Sequence, residues 1–158
     1  MKESNREKHI FVFLICLLIV FSAGFFGSLF TKNVNTPWYE KNKPGITPSN
    51  WVFGLAWTIL YLLIALSLFL AWTKAKTNEK KKIALIFGIN LFANALWSYF
   101  FFGLQNAGLA FADLIIILIT IPFMIFISGK IDKKAGWLLV PYLIWVTFAG
   151  ILNFWFLV

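Results

Sequence analysis

The chain has 158 residues, of which 61% are hydrophobic and 13% are charged, and its formal net charge is +8. An ordinary soluble domain is about half apolar and about one quarter charged, so this composition excludes that class and indicates an integral membrane protein. The positive charge does not indicate nucleic-acid binding, because the basic residues stand in short clusters between apolar runs and form no continuous basic face.

Five apolar runs follow one another, each about 20 residues long, which is the length that crosses a hydrocarbon core of about 30 Å. Peptide groups in lipid must find their hydrogen bonds within the segment, so these runs predict α-helices and not the shorter alternating strands of a barrel. The sequence therefore predicts an all-α integral membrane protein, a five-transmembrane-helix bundle forming one domain over residues 1–158. The predicted helices are Ile10–Phe30, Trp51–Trp72, Ile83–Phe102, Ala107–Ile127 and Ala135–Val158, with a lid loop at residues 31–50.

The first run begins like a secretory signal peptide, with a charged tail before it and small residues at Ser22–Gly24. Its apolar stretch is longer than the roughly 7–15 residues of a signal peptide, so we expect it to be retained as the first helix. Cys16 is the one cysteine, so neither a disulfide within the chain nor a cysteine metal site can form. His9, the one histidine, lies beside the basic tail, and we interpret it as an interfacial residue.

The stretch Pro37–Tyr61 passes from a loop with three prolines directly into the second helix and concentrates large aromatic side chains. Trp38, Tyr39, Trp51 and Trp57 all fall within it. One interpretation is a lid over a pocket between helices, whose flat aromatic walls suit flat apolar ligands. The other is a set of interfacial anchors, since Trp and Tyr collect where the bilayer meets water.

A polar stripe follows one face of the third helix, where Asn90, Asn94, Trp97 and Ser98 stand at i, i+4, i+7 and i+8. One interpretation is interhelical hydrogen bonding, which contributes about 0.6 kcal/mol per bond in bilayer proteins. The alternative is that one or two of these side chains donate to a ligand carbonyl or carboxylate.

Aromatic stripes follow the second and fifth helices at spacings of three and four residues, which places each stripe on one helical face. The residues are Phe53, Trp57 and Tyr61 in the second helix and Tyr142, Trp145 and the small Ala149 in the fifth. One such stripe is typical of core packing, whereas three helices with matching polar atoms favour a pocket between them.

Asp113 is the one acidic residue inside a predicted helix. A buried ionisable residue in a membrane is by default a functional hypothesis, but we favour the interpretation that it caps or bridges to a neighbouring helix. The sequence has no second histidine, no glycine-rich phosphate loop and no activated serine or cysteine, so it predicts no metal site, no cofactor and no hydrolytic or phosphoryl chemistry. A photochemical process that uses oxidisable tryptophans stays open.

Eleven of the 14 lysines and arginines lie in the N-terminal tail and in the loops after the second and fourth helices, which share one face of the membrane. The other three, Lys32, Lys41 and Lys43, lie in the lid loop on the opposite face. The positive-inside rule therefore predicts a cytoplasmic N-terminus and an external C-terminus.

Pairs of small residues four positions apart permit close contact between helices and weakly favour a homodimer. They are Ala84 with Gly88 and Gly108 with Ala112.

A series of motifs covers nearly the whole chain. They are Gly24–Phe30, Trp38-Tyr39, Lys43-Pro44 with Pro48, Trp51–Gly54 with Trp57 and Tyr61, Asn90 with Asn94 and Trp97, Phe101–Gly103, Ala110–Leu114, and Pro141–Asn153. In this order they resemble the TspO/MBR family, which comprises the tryptophan-rich sensory proteins and the mitochondrial translocator protein (peripheral benzodiazepine receptor).

The resemblance implies a membrane-embedded binding protein for porphyrins such as protoporphyrin IX and for benzodiazepine-like or isoquinoline carboxamide ligands. It would act as a tetrapyrrole sensor or transporter, with the porphyrin as ligand and not as cofactor, commonly as a homodimer in a prokaryotic cell membrane. By the same resemblance, Trp57 and Asn94 would donate to a ligand carbonyl. The predicted ligand-binding set is Tyr39, Trp57, Tyr61, Asn90, Asn94, Trp97, Ser98, Tyr142, Trp145 and Ala149.

Two other functions stay open. The first is a light-dependent porphyrin-degrading enzyme, because Trp57 and Trp145 match the tryptophans linked to that reaction in bacterial members. The second is a structural membrane scaffold whose aromatic stripes only pack.

The sequence departs from the family pattern at two places. Ile46 stands where the family usually has a tryptophan, which removes one aromatic side chain from the lid. No lysine or arginine follows Tyr142 through Val158, so the proposed sterol-contact pattern is absent and the sequence predicts no sterol binding.

Overall fold

The computed structural model describes residues 2–31, 34 and 36–158. Within these ranges there is no strand, and five helices are long and apolar enough to cross a membrane. The predicted all-α, five-span membrane fold is therefore confirmed. Lys32, which contributes to the charge count of the lid loop, lies outside the described residues.

The described residues form seven α-helices and one π-helical turn, and five spans of 23 to 27 residues are built from them. At a rise of about 1.5 Å per residue, each span exceeds the hydrocarbon thickness of about 30 Å. The helices are α1 (Lys2–Ser28), α2 (Pro37–Asn42), α3 (Asn50–Lys74), α4 (Thr77–Ser98), α5 (Ala107–Ile131), α6 (Lys133–Trp137) and α7 (Val140–Trp155). A π-helical turn, Tyr99–Gly103, continues α4, and α6 with α7 forms the fifth span.

Two helices begin earlier than predicted because helical structure continues past the apolar run. The first helix begins at Lys2 and not at Ile10. The third span begins at Thr77 and not at Ile83, and Glu79 caps its start, because Glu79 Oε2 accepts a hydrogen bond from the backbone N–H of Lys76 at 2.7 Å. Hydropathy marks the part of a helix in lipid, whereas capping marks where the helix starts.

The lid is not a loop throughout, because α2 occupies its centre. Thr36 caps this helix by accepting a hydrogen bond from the backbone N–H of Tyr39 at 3.3 Å, and Pro37 fills the first turn, where a missing N–H costs nothing. The last span is also divided: α6 ends at Trp137, and α7 begins at Val140 with Pro141 in its first turn. The single helix predicted over Ala135–Val158 is therefore wrong at this point.

The spans form a closed ring in the order α1, α3, α6–α7, α5 and α4. We call the end that carries α2 the lid end, and the end with the loops after α3 and α5 the lysine-rich end. The lysine-rich half is packed solid by buried side chains of α3, α4 and α5, including Ile64, Leu68, Phe87 and Met124. The lid half is not filled in this way, and the candidate site lies there.

Candidate functional site

A cavity of about 620 Å³ lies in the lid half of the bundle, enclosed by α1, α3, α4, α5 and α7 and covered by the α2 segment. This volume is within the range of small-molecule sites in proteins. The lining is mainly aromatic and aliphatic, with amide and hydroxyl groups at intervals. Its aromatic members are Phe21, Phe25, Tyr39, Phe53, Trp57, Tyr61, Trp97, Phe101, Phe102 and Phe156.

The lid is held down by an aromatic cluster. The Trp38 ring lies 5.4 Å from Phe101 and 5.2 Å from Phe156 between ring centroids, and the Tyr39 ring lies 5.7 Å from Phe156. Tyr39 is only 5% exposed. Burial is the main cause that raises the pKa of the Tyr39 phenol above its ordinary value, and the adjacent Glu40 carboxylate is the second cause. Tyr39 thus joins the lid to the lining of the cavity.

The π-helical turn after α4 supplies two members of this cluster. The backbone N–H of Leu104 donates to the carbonyl of Tyr99 at 2.9 Å, which is the wide i to i−5 hydrogen bond of a π-helix. The turn carries Phe101 and Phe102 into the cavity wall, and Phe101 stacks on Trp97 at 4.9 Å. A regular helix would rotate these rings by a different amount, so the irregular turn contributes directly to the shape of the site.

A chain of hydrogen bonds leads from the cavity into the packed half. The Tyr61 hydroxyl donates to Asn94 Oδ1 at 2.7 Å, and Asn94 Nδ2 donates to the Tyr142 hydroxyl at 3.2 Å. The Tyr142 hydroxyl donates to Asn90 Oδ1 at 2.9 Å, and Asn90 Nδ2 donates to Thr120 Oγ1 at 2.8 Å. Each donor points the same way along the chain, an arrangement in which hydrogen bonds polarise and strengthen one another.

A second polar connection closes the other side of the cavity. The Trp97 indole N–H donates to Asn153 Oδ1 at 3.0 Å, and Asn153 Nδ2 donates to the carbonyl of Ala107 at 3.0 Å. This pair ties α4 to α7 and to the start of α5. The indole is thus fixed in orientation, and its one N–H donor is already used.

The cavity opens sideways between α1 and α3. Its exposed lining residues are Phe21, Phe25, Ser28, Thr31, Asn50, Gly54 and Thr58, all on these two helices or directly after α1. The two helices touch at Gly24 and Tyr61, whereas a Cβ built at Gly54 would meet no atom within 4 Å. The helices therefore separate toward the lid end, and the gap between them faces the lipid.

Seven of the ten predicted site residues line the cavity, and three do not. The seven are Tyr39, Trp57, Tyr61, Asn94, Trp97, Ser98 and Ala149. Asn90 and Tyr142 are fully buried below the cavity floor and serve the hydrogen-bond chain. Trp145 lies behind Phe53, 5.7 Å away between ring centroids, and its buried indole N–H has no partner among the described residues.

The first helix was not predicted to be part of the site, but it forms one whole wall of the cavity. The wall residues are Phe21, Gly24, Phe25, Gly27 and Ser28. A signal was present, because two glycines three residues apart interrupt an otherwise bulky apolar helix. The glycines are needed here: a Cβ at Gly24 would lie 2.4 Å from the Tyr61 ring, and a Cβ at Gly27 would lie 3.0 Å from Ser98 Oγ.

Two further residues bear on the chemistry of the site. Thr47, in the lid segment, lines the cavity, and its buried hydroxyl has no hydrogen-bond partner among the described residues. Ile46, at the position where the family usually has tryptophan, is 59% exposed and does not line the cavity. The Thr47 hydroxyl is therefore available for a hydrogen bond to a molecule in the cavity.

No side chain that is charged at neutral pH contributes to the described cavity wall. Among the described lining residues there is no lysine, arginine, aspartate or glutamate. Asp113 is buried in α5, its Oδ2 has no hydrogen-bond partner in the described structure, and it is not a lining residue, so the predicted bridge to a neighbouring helix is not formed by that oxygen. Within the described ranges, no group of three or more His, Cys, Asp or Glu side chains could hold a metal ion.

The fold and the cavity together define a multi-pass helical membrane protein with an aromatic chamber in one half of the bilayer and a side opening toward lipid. The profile of the TspO/MBR family matches residues 15–158. The chain belongs to the TspO/MBR family.

Curated relatives cover most of the chain. It is 42% identical over 139 residues to the tryptophan-rich protein TspO of Archaeoglobus fulgidus, covering 87% of this chain and 90% of that relative. It is 36% identical over 118 residues to the tryptophan-rich sensory protein of Cereibacter sphaeroides, covering 74% and 73%. It is 28% identical over 134 residues to the translocator protein of Bos taurus, covering 83% and 79%.

Proposed function

We propose that this protein binds flat, largely apolar ligands in the cavity, with tetrapyrroles such as protoporphyrin IX as the main class. Benzodiazepine-like and isoquinoline carboxamide compounds belong to the same group of ligands by shape. The observation that carries the proposal is the aromatic cavity of about 620 Å³ with amide and hydroxyl donors on its wall. In this role the protein acts as a sensor or a carrier of its ligand within the membrane.

The aromatic wall supports a flat ligand. Trp57 lies 5.3 Å from Tyr61 between ring centroids at an interplanar angle of 31°, and Trp97 lies parallel to Phe101 within 13°. These ring pairs stand on different helices of the wall, so a planar ligand between them would meet aromatic faces on two sides. Offset stacking of this kind contributes about 0.5–1.5 kcal/mol per pair beyond area burial.

Polar groups supply orientation. Asn94 uses one amide hydrogen on Tyr142, and an amide nitrogen carries two, so the second is available to a ligand carbonyl. The unpartnered hydroxyl of Thr47 supports a second contact, because a buried hydroxyl without a partner costs about 1–3 kcal/mol that a polar ligand atom would recover. Trp97 is less suited to donate, since its N–H is bound to Asn153.

The absence of charge on the described lining restricts how a porphyrin could lie. A carboxylate is strongly disfavoured in an apolar cavity without a cationic partner. The two propionate groups of protoporphyrin IX would therefore project through the gap between α1 and α3 and not into the bundle. A ligand without carboxylates needs no such protrusion and can enter completely.

The test is a protoporphyrin IX titration of the full chain in nanodiscs, followed by tryptophan quenching. We expect saturable quenching in the wild type, with a dissociation constant about tenfold weaker in Asn94→Ala and Trp57→Phe. Trp155→Phe is the matched control, because Trp155 is 56% exposed and does not line the cavity. Linear quenching that is indifferent to all three substitutions would mean partitioning into lipid and would overturn the proposal.

The dimethyl ester of protoporphyrin IX tests the neutral lining in the same assay. Because no described lining residue is cationic, the ester is expected to bind at least as tightly as the free acid. Tighter binding of the free acid by tenfold or more would show that a cationic group holds the propionates. Illumination of the complex then separates a binder, which returns the porphyrin unchanged, from a photochemical enzyme.

A further inference from the structure

A groove lies on the lipid-facing surface at the lysine-rich end, away from the cavity, and neither the fold nor the proposed function uses it. One wall is α3, through Leu63, Leu66 and Leu70, and the other is α6 with the start of α7. The second wall consists of Lys134, Trp137, Leu138 and Pro141, and the volume between the walls is about 440 Å³. We call this the α3–α6 groove.

The groove is apolar and is long enough for part of one acyl chain. The three leucines stand at i, i+3 and i+7 on one face of α3, which gives an apolar floor about 10 Å long along the helix axis. The second wall runs from the deeper Pro141 to Lys134 near the membrane surface. Trp137 is 73% exposed beside it, in the position that an indole takes at the level of lipid headgroups.

The charge at the shallow end is unbalanced. Asp132, the acid next to the groove, is 8% exposed and already accepts the Lys74 ammonium at 2.6 Å and the backbone N–H of Lys134 at 2.8 Å. The hydrogen bond from the Lys74 ammonium is the main cause that lowers the pKa of Asp132, and the backbone N–H of Lys134 lowers it further. In the described part of the chain the Lys134 ammonium has no carboxylate within salt-bridge distance.

We propose that the α3–α6 groove is a binding site for one anionic phospholipid of the adjoining leaflet. An acyl chain lies along the three leucines, and the phosphate pairs with Lys134. A second copy of this chain is a poorer occupant, because a two-fold contact through the same patch would bring Lys134 toward its own copy with no free acid between them. A lipid phosphate supplies the missing negative charge.

Native mass spectrometry of the full chain tests the proposal with dioleoyl phosphatidylglycerol and dioleoyl phosphatidylcholine, which share acyl chains and differ in charge. The first phosphatidylglycerol is expected to bind the wild type about fivefold more tightly than phosphatidylcholine, the effect of about one lysine at a membrane surface. Lys134→Gln should abolish this preference. Lys133→Gln is the matched control, since Lys133 is exposed on the same helix but does not line the groove, and it should leave the preference unchanged.

A second variant separates the groove from the surface charge. Leu66→Trp fills the apolar floor while every lysine remains, and it should weaken the first phosphatidylglycerol about as much as Lys134→Gln does. Equal losses in Lys133→Gln and Lys134→Gln would mean diffuse attraction to a basic face and would overturn the site. A dimer that Leu66→Trp dissociates would assign the groove to a second chain and would also overturn it.

Discussion

Gly24 is the residue at which the shape of the cavity is most sensitive to one added carbon. A Cβ there would lie 2.4 Å from Cε2 of Tyr61, a distance that the Tyr61 ring can relieve only by moving. That ring carries the hydroxyl that donates to Asn94 at 2.7 Å and lies beside Trp57. One glycine on α1 therefore fixes the first hydrogen bond of the chain that leads down from the cavity.

Gly24→Ala is expected to weaken protoporphyrin IX binding about tenfold, because a displaced Tyr61 loses its bond to Asn94 and reduces the space for ligand, a change of about 1.4 kcal/mol. Gly54→Ala is the control: Gly54 also lines the cavity, but its added Cβ would meet no atom within 4 Å. Quenching titrations on both variants measure the difference. Equal affinity of the two would contradict the steric argument.

At the scale of single residues, the sequence predicts which helix face a side chain occupies better than it predicts the role of that side chain. Spacing alone places Asn90 and Asn94 on one face of a helix, and both do face into the bundle. Only depth separates them: Asn90 is fully buried between Tyr142 and Thr120, whereas Asn94 lies four residues closer to the lid and reaches the cavity. Depth depends on how neighbouring helices pack, which periodicity does not encode.

Among the helices, α6 depends on a contact that only glycine permits. A Cβ at Gly136 would lie 2.9 Å from Gly129 Cα and 2.9 Å from the carbonyl oxygen of Ile125, and both of these atoms belong to the backbone of α5. A Cβ at Gly129 would lie 3.8 Å from Gly136 Cα, an ordinary contact. The two glycines face each other, but there is room for an added Cβ at Gly129 and none at Gly136.

Gly136→Ala is therefore expected to destabilise the protein by about 1–3 kcal/mol, the usual cost of overpacking against an immobile neighbour. Gly129→Ala should be neutral or slightly stabilising, because alanine favours a helix over glycine by about 0.5–1 kcal/mol. Thermal melting of both variants in one detergent measures the contrast. A melting temperature for Gly136→Ala equal to that of the wild type would show that α6 can move away from α5.

The number of membrane-spanning helices can be predicted from the sequence, because bilayer thickness fixes the length of each apolar run. The shorter helices within and between these spans are harder to predict. The α2 helix carries its own signal outside any apolar run: Thr36 is a preferred N-cap residue, Pro37 follows at the first helical position, and the acidic Glu40 lies in the first turn. The division of the last span between Trp137 and Val140 has a weaker signal. Its cause is tertiary, since α6 is held at its contact with α5 while Pro141 starts α7 on a separate course.

For the whole molecule, the distribution of lysines predicts a cytoplasmic lysine-rich end and an external lid end. Single cysteines test this in a Cys16→Ala background, since Cys16 is buried and is the one cysteine of the chain. Ser49→Cys, on the lid side, should react with a membrane-impermeant maleimide on intact cells, and Lys82→Cys should react only after lysis. The reverse pattern would invert the orientation.

Because the cavity opens between α1 and α3, the concentration of ligand that matters for binding is its concentration in the membrane. A ligand of the proposed kind dissolves first in the hydrocarbon, because transfer of apolar surface out of water is favourable by about 25 cal/mol per Å². The cavity then equilibrates with the mole fraction of ligand among lipids and not with its concentration in water. Added lipid dilutes a fully partitioned ligand, so the apparent midpoint moves in proportion while the protein stays the same. Affinities of this protein will therefore agree between laboratories when they are expressed per mole of lipid.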